Sequence, residues 1–278
     1  MIDARSVCLI LLEAADRFLY HEPDRVAIPK GTRDVVTETD RSLGLFLAER
    51  LGDIHRDAQV IGEDLPHADV NVDAEWRWRI DPIDGTVNFS RNLPCYSICV
   101  ALEQAKNTRL AVVFDVERRH FLTALAGGGA IAYEVRGDQL TNGKIVSVTP
   151  RPVDQSLFSV MLTPKMSSIG RASTLRLMDH LLGSTQGVRV LVSQALEASW
   201  LAQGRLDAVV TLESRGGWTR SAATLLTVEA GGHVVEFHDS DSARRGFLLS
   251  ADASLGDWLG DWFKQNELSI TTQQRDHE

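Results

Sequence analysis

The chain has 278 residues, 44% hydrophobic and 24% charged, with a net charge of −9. That length allows one large or two modest domains with ample core, and the composition is that of an ordinary soluble globular protein. The acidic balance and the lack of a basic run argue against a nucleic-acid surface, and three cysteines (Cys8, Cys95, Cys99) make neither a disulfide framework nor a zinc pattern. A reducing cytoplasm is the expected location.

Val7 to Leu12 follows Arg5 and faintly imitates a signal peptide, but the run is short and Glu13 and Asp16 follow it. Asp3 can instead cap a helix whose apolar face carries Val7, Ile10, Leu11, Ala14 and Phe18. No stretch is long enough to span a bilayer as a helix. Lys30 to Val36 reads as a loop entering a second helix, which Thr37-Glu38-Thr39-Asp40 opens and Gly52 ends, with Leu43, Leu47 and Leu51 on one face. Val60-Ile61 is a short buried strand stopping at Gly62-Glu63-Asp64. Trp76, Trp78 and Ile80 then alternate with Glu75, Arg77 and Arg79, as in a strand running into Asp81-Pro82-Ile83-Asp84-Gly85-Thr86-Val87-Asn88-Phe89.

That last run organises the chain. Pro82 keeps Asp81 extended, and Gly85 permits a backbone conformation closed to other residues. A strand end then presents two carboxylates beside the N–H groups at a helix mouth, a place suited to a hard cation with a phosphate next to it. Asp81 and Asp84 as a bare pair have a simpler use, capping a turn. The whole run is more specific, and it resembles the signature of the inositol monophosphatase family of metal-dependent, lithium-sensitive phosphomonoesterases.

Other segments resemble the same family in the same order. They are Asp34-Val35-Val36-Thr37-Glu38-Thr39-Asp40, Gly62-Glu63-Asp64, and Ser193-Gln194-Ala195-Leu196-Glu197 followed by Gly204-Arg205-Leu206-Asp207-Ala208. Read alone, the first is a helix cap and Glu63 a solvated loop acid; the resemblance implies that the first segment lies near the metals. The resemblance runs from about Asp34 to Leu249 and implies a layered αβαβα sandwich of the sugar-phosphatase type. It implies Mg2+ held by Glu63, Asp81, the Ile83 carbonyl and Asp84, and phosphate held by the N–H groups of Gly85 and Thr86. Glu63 and Thr86 orient a water, and Ser193, Gln194, Glu213 and Thr219 lie on the substrate side. A homodimer is implied as well.

The family's closing signature, Trp-Asp-x-Ala-Ala-Gly, appears here as Trp218-Thr219-Arg220-Ser221-Ala222-Ala223. Thr219 stands where the metal-binding aspartate is usual, Gln194 where a small residue is usual, and Leu212 to Gly217 is one residue longer than expected. A neutral hydroxyl is a poorer ligand for a hard cation than a carboxylate, so a weakened second metal site is expected. The longer loop either carries Glu213 inward or leaves it as a solvated acid.

Beyond the central run, Tyr96–Leu102, Leu110–Val116 and His120–Ala124 read as strands, Gly127 to Gly129 as a tight turn, and Asn142-Gly143 as a hairpin turn. Pro150 and Pro152 suggest a boundary between an α+β domain (1–150) and a layered α/β domain (151–267). Strands and helices alternate in the latter through Leu157–Leu162, Arg171–Leu182, Val188–Val192, Gln194–Gln203, Ala208–Leu212, Thr219–Ala230, Val234–Phe237, Gly246–Leu249 and Leu255–Phe263. Residues 268–278 read as a polar, frayed tail.

The expected function is hydrolysis of a small polyol or sugar phosphate. The alternatives are a degenerate relative that binds a phosphorylated ligand or a partner protein, and activity on nucleotide 3′-phosphates or fructose bisphosphate. No nucleic-acid or membrane partner is expected.

Overall fold

Asp3 caps the first helix as its position suggests, its carboxylate accepting the Arg5 N–H at 3.1 Å. The structure, a computed structural model, describes residues 3–31, 33–65, 71, 74–214, 217–238, 245–265 and 271–274. It divides into two compact units. One comprises Met1–Ile145, Ser193–Leu196 and Trp218–Leu226, and the other Val146–Val192, Glu197–Gly217 and Thr227–Glu278.

In the first unit, α1 (Ala4–Phe18) precedes a small hairpin of β1 (Ile28–Gly31) and β2 (Asp34–Val36). Then come α2 (Glu38–Ile54), β3 (Ala58–Gly62), β4 (Trp76–Asp84), the short α3 (Thr86–Ser90), β5 (Ser97–Gln104), β6 (Asn107–Asp115), β7 (His120–Leu125), β8 (Gly129–Arg136), β9 (Gln139–Leu140) and β10 (Lys144–Val146). The sheet runs β10-β8-β7-β6-β5-β4-β3, with β9 pairing β8. β3 lies parallel to β4, and the pairs from β4 to β8 are antiparallel. Leu11, Leu43, Leu47, Trp78, Phe89 and Phe114 form part of its buried core, each such side chain contributing roughly 1.5–3 kcal/mol.

The second unit carries β11 (Leu157–Val160), α4 (Ser168–Ser184), β12 (Gly187–Arg189), most of α5 (Gln194–Ala202), β13 (Ala208–Thr211), the end of α6 (Arg220–Glu229), β14 (His233–His238), β15 (Arg245–Ser250), α7 (Ala253–Gln265) and β16 (Thr271–Gln274). Its sheet order is β12-β11-β13-β15-β14-β16. The mixture of helices with parallel and antiparallel strands is the layered α/β arrangement that the periodicities indicated.

Three local expectations change. The segment read as a loop from Lys30 to Val36 holds the β1–β2 hairpin, with residue 32 outside the described residues. Neither Asn142 nor Gly143 has the positive φ of a two-residue hairpin turn; the β8–β9 reversal uses Gly137, φ +60°. Within the tail read as frayed, Thr271–Gln274 pairs antiparallel with β14, since an edge strand's unpaired backbone groups can order even a polar segment. Residues 266–270 and 275–278 lie outside the described residues.

Candidate active site

Asp81 and Asp84 both lie on β4, where a strict alternation would send residues three apart to opposite faces. The register prevents this. Asp81 pairs with Cys99 and Asp84 with Ser97, so three steps on β4 face two on β5. The extra residue is a β-bulge, and it also accommodates Pro82, which a regular central strand would exclude. Both carboxylates are buried. Gly85 follows at φ +100°, and a Cβ there would come within 2.9 Å of the Cys95 carbonyl oxygen, so both conformation and space require glycine.

Asp84 is the most heavily hydrogen-bonded of the acids. Its Oδ2 accepts from Ser193 Oγ at 2.8 Å, the Ala195 N–H at 2.8 Å and Ser97 Oγ at 3.3 Å, and its Oδ1 accepts the Gln194 N–H at 3.1 Å. It thereby satisfies the open N–H groups at the start of α5 from 110 residues away in sequence. Burial pushes its pKa up, and the bonds from Ser193, Ala195 and Gln194 pull it back, leaving a value of about 6. Asp81 has fewer such supports. Burial raises it well above the carboxylate range, the negative charges of Glu63, Asp84 and Asp40 raise it further, and Lys30 opposes them.

Asp40 belongs to this group, in the segment that reads alone as a helix cap and that the resemblance sets near the metals. It does cap α2: its Oδ2 accepts the Thr37 N–H at 2.8 Å, while Thr37 Oγ1 accepts the Asp40 N–H at 3.2 Å. Its other oxygen, Oδ1, lies 3.3 Å from Thr86 Oγ1, which also lies 3.1 Å from the Ile83 carbonyl oxygen. The hydroxyl has one proton and serves one of these acceptors at a time. Burial lifts Asp40 to about 6 against the hydrogen bonds from Thr37.

Glu63 extends β3 past its last residue, its N–H donating to the Ile80 carbonyl at 3.0 Å. Its Oε1 is 2.8 Å from Lys30 Nζ, which also lies 2.8 Å from Asp64 Oδ2. Burial disfavours the Lys30 ammonium, but Glu63 and Asp64 more than offset it and hold its pKa above the usual lysine range. Sequence reasoning missed Lys30, because one lysine in an apparent loop carries no periodic or motif signal.

The remaining candidates sit as follows. Ser193 is committed to Asp84 through its hydroxyl. Thr219 Oγ1 donates to Gln194 Oε1 at 2.7 Å. Glu213, expected on the substrate side, belongs to the second unit, where its carboxylate accepts the Ser167 N–H at 3.0 Å and Ser167 Oγ at 2.8 Å at the start of α4. Arg215 and Gly216 of the longer loop lie outside the described residues.

The donors fit a hard cation in chemistry and charge. They are carboxylate and carbonyl oxygens, and the buried acids crowd one another with Lys30 as the positive neighbour that acts on Asp81. The spacing is not that of a closed cage, for among the described residues no three acidic, thiol or imidazole groups are set around one point.

Residues 4–271 match the model of the inositol monophosphatase family. The chain belongs to that family. It is 29% identical over 219 residues to the Nus factor SuhB of Escherichia coli, covering 78% of each chain. It is 28% identical over 216 residues to inositol monophosphatase 1 of Solanum lycopersicum, covering 77% of this chain and 76% of the relative. The solved inositol monophosphatase of Anabaena superposes with a TM-score of 0.73 at 23% identity over 94% of each chain, a likeness of fold. Inositol monophosphatase family members are metal-dependent phosphatases, and the acids gathered around Asp81 supply the ligand chemistry such a protein needs.

Proposed function

We propose that the chain is a Mg2+-dependent phosphatase that hydrolyses the monoester of a small polyol or sugar phosphate by two-metal activation of water. The observation that carries this reading is the β4 bulge, which brings Asp81 and Asp84 to buried positions on one side of the strand, followed by Gly85 and by Thr86 bonded to Asp40. Asp81, Asp84, the Ile83 carbonyl and Glu63 would hold the cations. When bound, they neutralise phosphoryl oxygens and acidify water.

The chain's own groups then have distinct tasks. The N–H groups of Gly85 and Thr86, at the start of α3, would donate to a phosphate oxygen. Thr86 Oγ1 would orient the attacking water by accepting a hydrogen bond from it, while its own O–H donates a hydrogen bond to Asp40 or the Ile83 carbonyl. Asp40 is anchored by Thr37 and so keeps Thr86 from rotating freely. Glu63 would orient the same water together with Thr86. We include in the same proposal a cytoplasmic homodimer; the sparse, odd count of cysteines suits a reducing compartment.

Release of inorganic phosphate, screened over sugar, inositol and nucleotide phosphates with and without Mg2+, tests the reading. Asp84→Asn should abolish the Mg2+-dependent release while the far-UV spectrum stays unchanged. Undiminished turnover of that variant at saturating Mg2+ would place the chemistry elsewhere.

A second reading is a weakly catalytic or non-catalytic binder of a phosphorylated ligand or partner protein. Thr219 and the similarity to proteins named Nus factors favour it. It predicts phosphate binding without turnover in the same screen.

A further inference from the structure

The irregular segment between α1 and β1 is tied to both helices that meet at Thr86. Thr39, in the first turn of α2, donates a hydrogen bond from its hydroxyl to the Asp24 carbonyl at 2.8 Å. The next residue, Arg25, donates from Nη1 to the Phe89 carbonyl near the end of α3 at 2.7 Å. Asp24 and Arg25 thus reach, from adjacent positions, the helix that carries Asp40 and the helix that begins with Thr86. Between them the chain is turned tightly, the Val26 N–H donating to Asp24 Oδ1 at 2.9 Å.

The Arg25 end is held by more than one contact. Its guanidinium lies 4.2 Å from the centre of the Phe89 ring and 5.9 Å from that of Tyr96, and the two rings pack edge to face at 5.2 Å. Both rings are buried, and the Tyr96 hydroxyl donates to Glu117 Oε1 at 2.6 Å, so the surface under the guanidinium is itself fixed. A planar guanidinium can lie over a ring and donate at its edge at once, which an ammonium cannot match. The short α3 needs such an anchor. It has five residues and no side-chain cap at its start, far below the length at which a helix stands by itself. Its place is set from outside, by Phe89 in the core, by Asn88 Nδ2 on the Cys95 carbonyl at 2.7 Å, and by Arg25. The contact that serves the chemistry, Thr86 Oγ1 to Asp40 Oδ1, spans α3 and α2 and is already long at 3.3 Å. Such a bond is lost with little further separation of the two helices.

We propose that Arg25 is a positioning residue: through the Asp24–Arg25 strap it holds α3 against the start of α2 and so keeps Thr86 in reach of Asp40 and of the attacking water. It acts through the Phe89 carbonyl and ring. The proposal rests on the phosphatase reading, and the cations held by Asp81, Asp84 and Glu63 do not depend on it.

Steady-state phosphate release from glycerol 2-phosphate, or from whichever monoester the screen finds fastest, tests it on the full chain and on Arg25→Ala, Arg25→Lys, Thr39→Val and the Ala/Val double variant. Mg2+ affinity is read by calorimetry, and α3 by amide hydrogen exchange of the metal-free protein. Arg25→Ala should lower kcat about tenfold and leave KM and Mg2+ affinity within about twofold, because reacting groups are misplaced while no ligand is lost. Exchange should quicken at the Phe89 N–H, which donates to the Gly85 carbonyl, and stay unchanged along the β5–β6 pairs. Millimolar guanidinium should restore part of the lost kcat, and sodium at the same ionic strength should not. Arg25→Lys should stay close to Arg25→Ala. Thr39→Val frees the other end of the strap and should also lower kcat; the double variant should lose no more than Arg25→Ala, since the two residues act as one unit. Should Arg25→Ala fail to fold, Arg25→Lys and Thr39→Val carry the comparison. Full kcat in Arg25→Ala would overturn the proposal, as would a loss that guanidinium does not restore or that comes with an equal loss of Mg2+ binding. No turnover by the unaltered protein on any monoester of the screen would overturn the phosphatase reading, and the proposal with it.

Discussion

At single residues, the same carboxylates serve architecture and chemistry together. Asp84 satisfies the start of α5 and also supplies charge to the site; Asp40 caps α2 with one oxygen and meets Thr86 with the other. Lys30 is the counterweight. Its ammonium binds Glu63 and Asp64, so Lys30→Met should leave two acids facing each other without their partner. The metal-free variant should lose ~1 kcal/mol, since the pair is partly exposed and solvent screens it. The same change removes a positive charge from the cation's surroundings, so its first Mg2+ should bind more tightly by calorimetry. Weaker binding would mean that Lys30 positions Glu63 for the cation. Asp81, Asp84 and Thr86 were legible because a proline, a glycine and two acids in a fixed order have few other uses. Lys30 and the contact of Asp40 with Thr86 were not legible, because each depends on a residue more than thirty positions away.

At the level of elements, periodicity found the long helices, and apolar runs found the central strands, which are buried along most of their length. Neither signal found β1–β2 or β16, which are short and exist because a neighbouring strand supplies hydrogen bonds. The bulge in β4 was also hidden, since a sequence does not print its register, although Pro82 hinted at an irregularity. Glu213 shows how an acid's role follows from its element. Its carboxylate receives the Ser167 N–H and hydroxyl, Ser167 Oγ in turn accepts the Gly170 N–H at 3.0 Å, and a side chain at Gly170 would collide with Glu213 Oε2. The negative charge sits at the positive end of α4. Glu213→Gln should therefore cost about 1 kcal/mol in denaturant unfolding, and leave Mg2+ titration unchanged. A shifted titration would mean that Glu213 acts on the substrate side.

For the molecule as a whole, the acidic site sets a stability profile opposite to that of most carboxylates. Asp40 and Asp84 titrate near 6 in the folded protein against an ordinary 3.8, and Asp81 is raised as well, in each case chiefly by burial. Between about pH 4 and 6 the folded chain therefore holds more protons at these groups than the unfolded chain does. Their contribution to stability is present below the unfolded pKa and is lost as pH rises through the folded value. Without metal, these three acids should make the protein less stable at pH 7 than at pH 5. A cation that binds the ionised acids reverses this, because it binds the folded state alone and binds it better as the acids deprotonate. Thermal melts from pH 4.5 to 7.5, in chelator and in saturating Mg2+, should show a gap between the two curves that widens as pH rises. Asp40→Asn removes one titrating group and should flatten the chelator curve relative to the unaltered chain. If that variant keeps the full slope, Asp40 is ionised throughout this range and burial has not raised it.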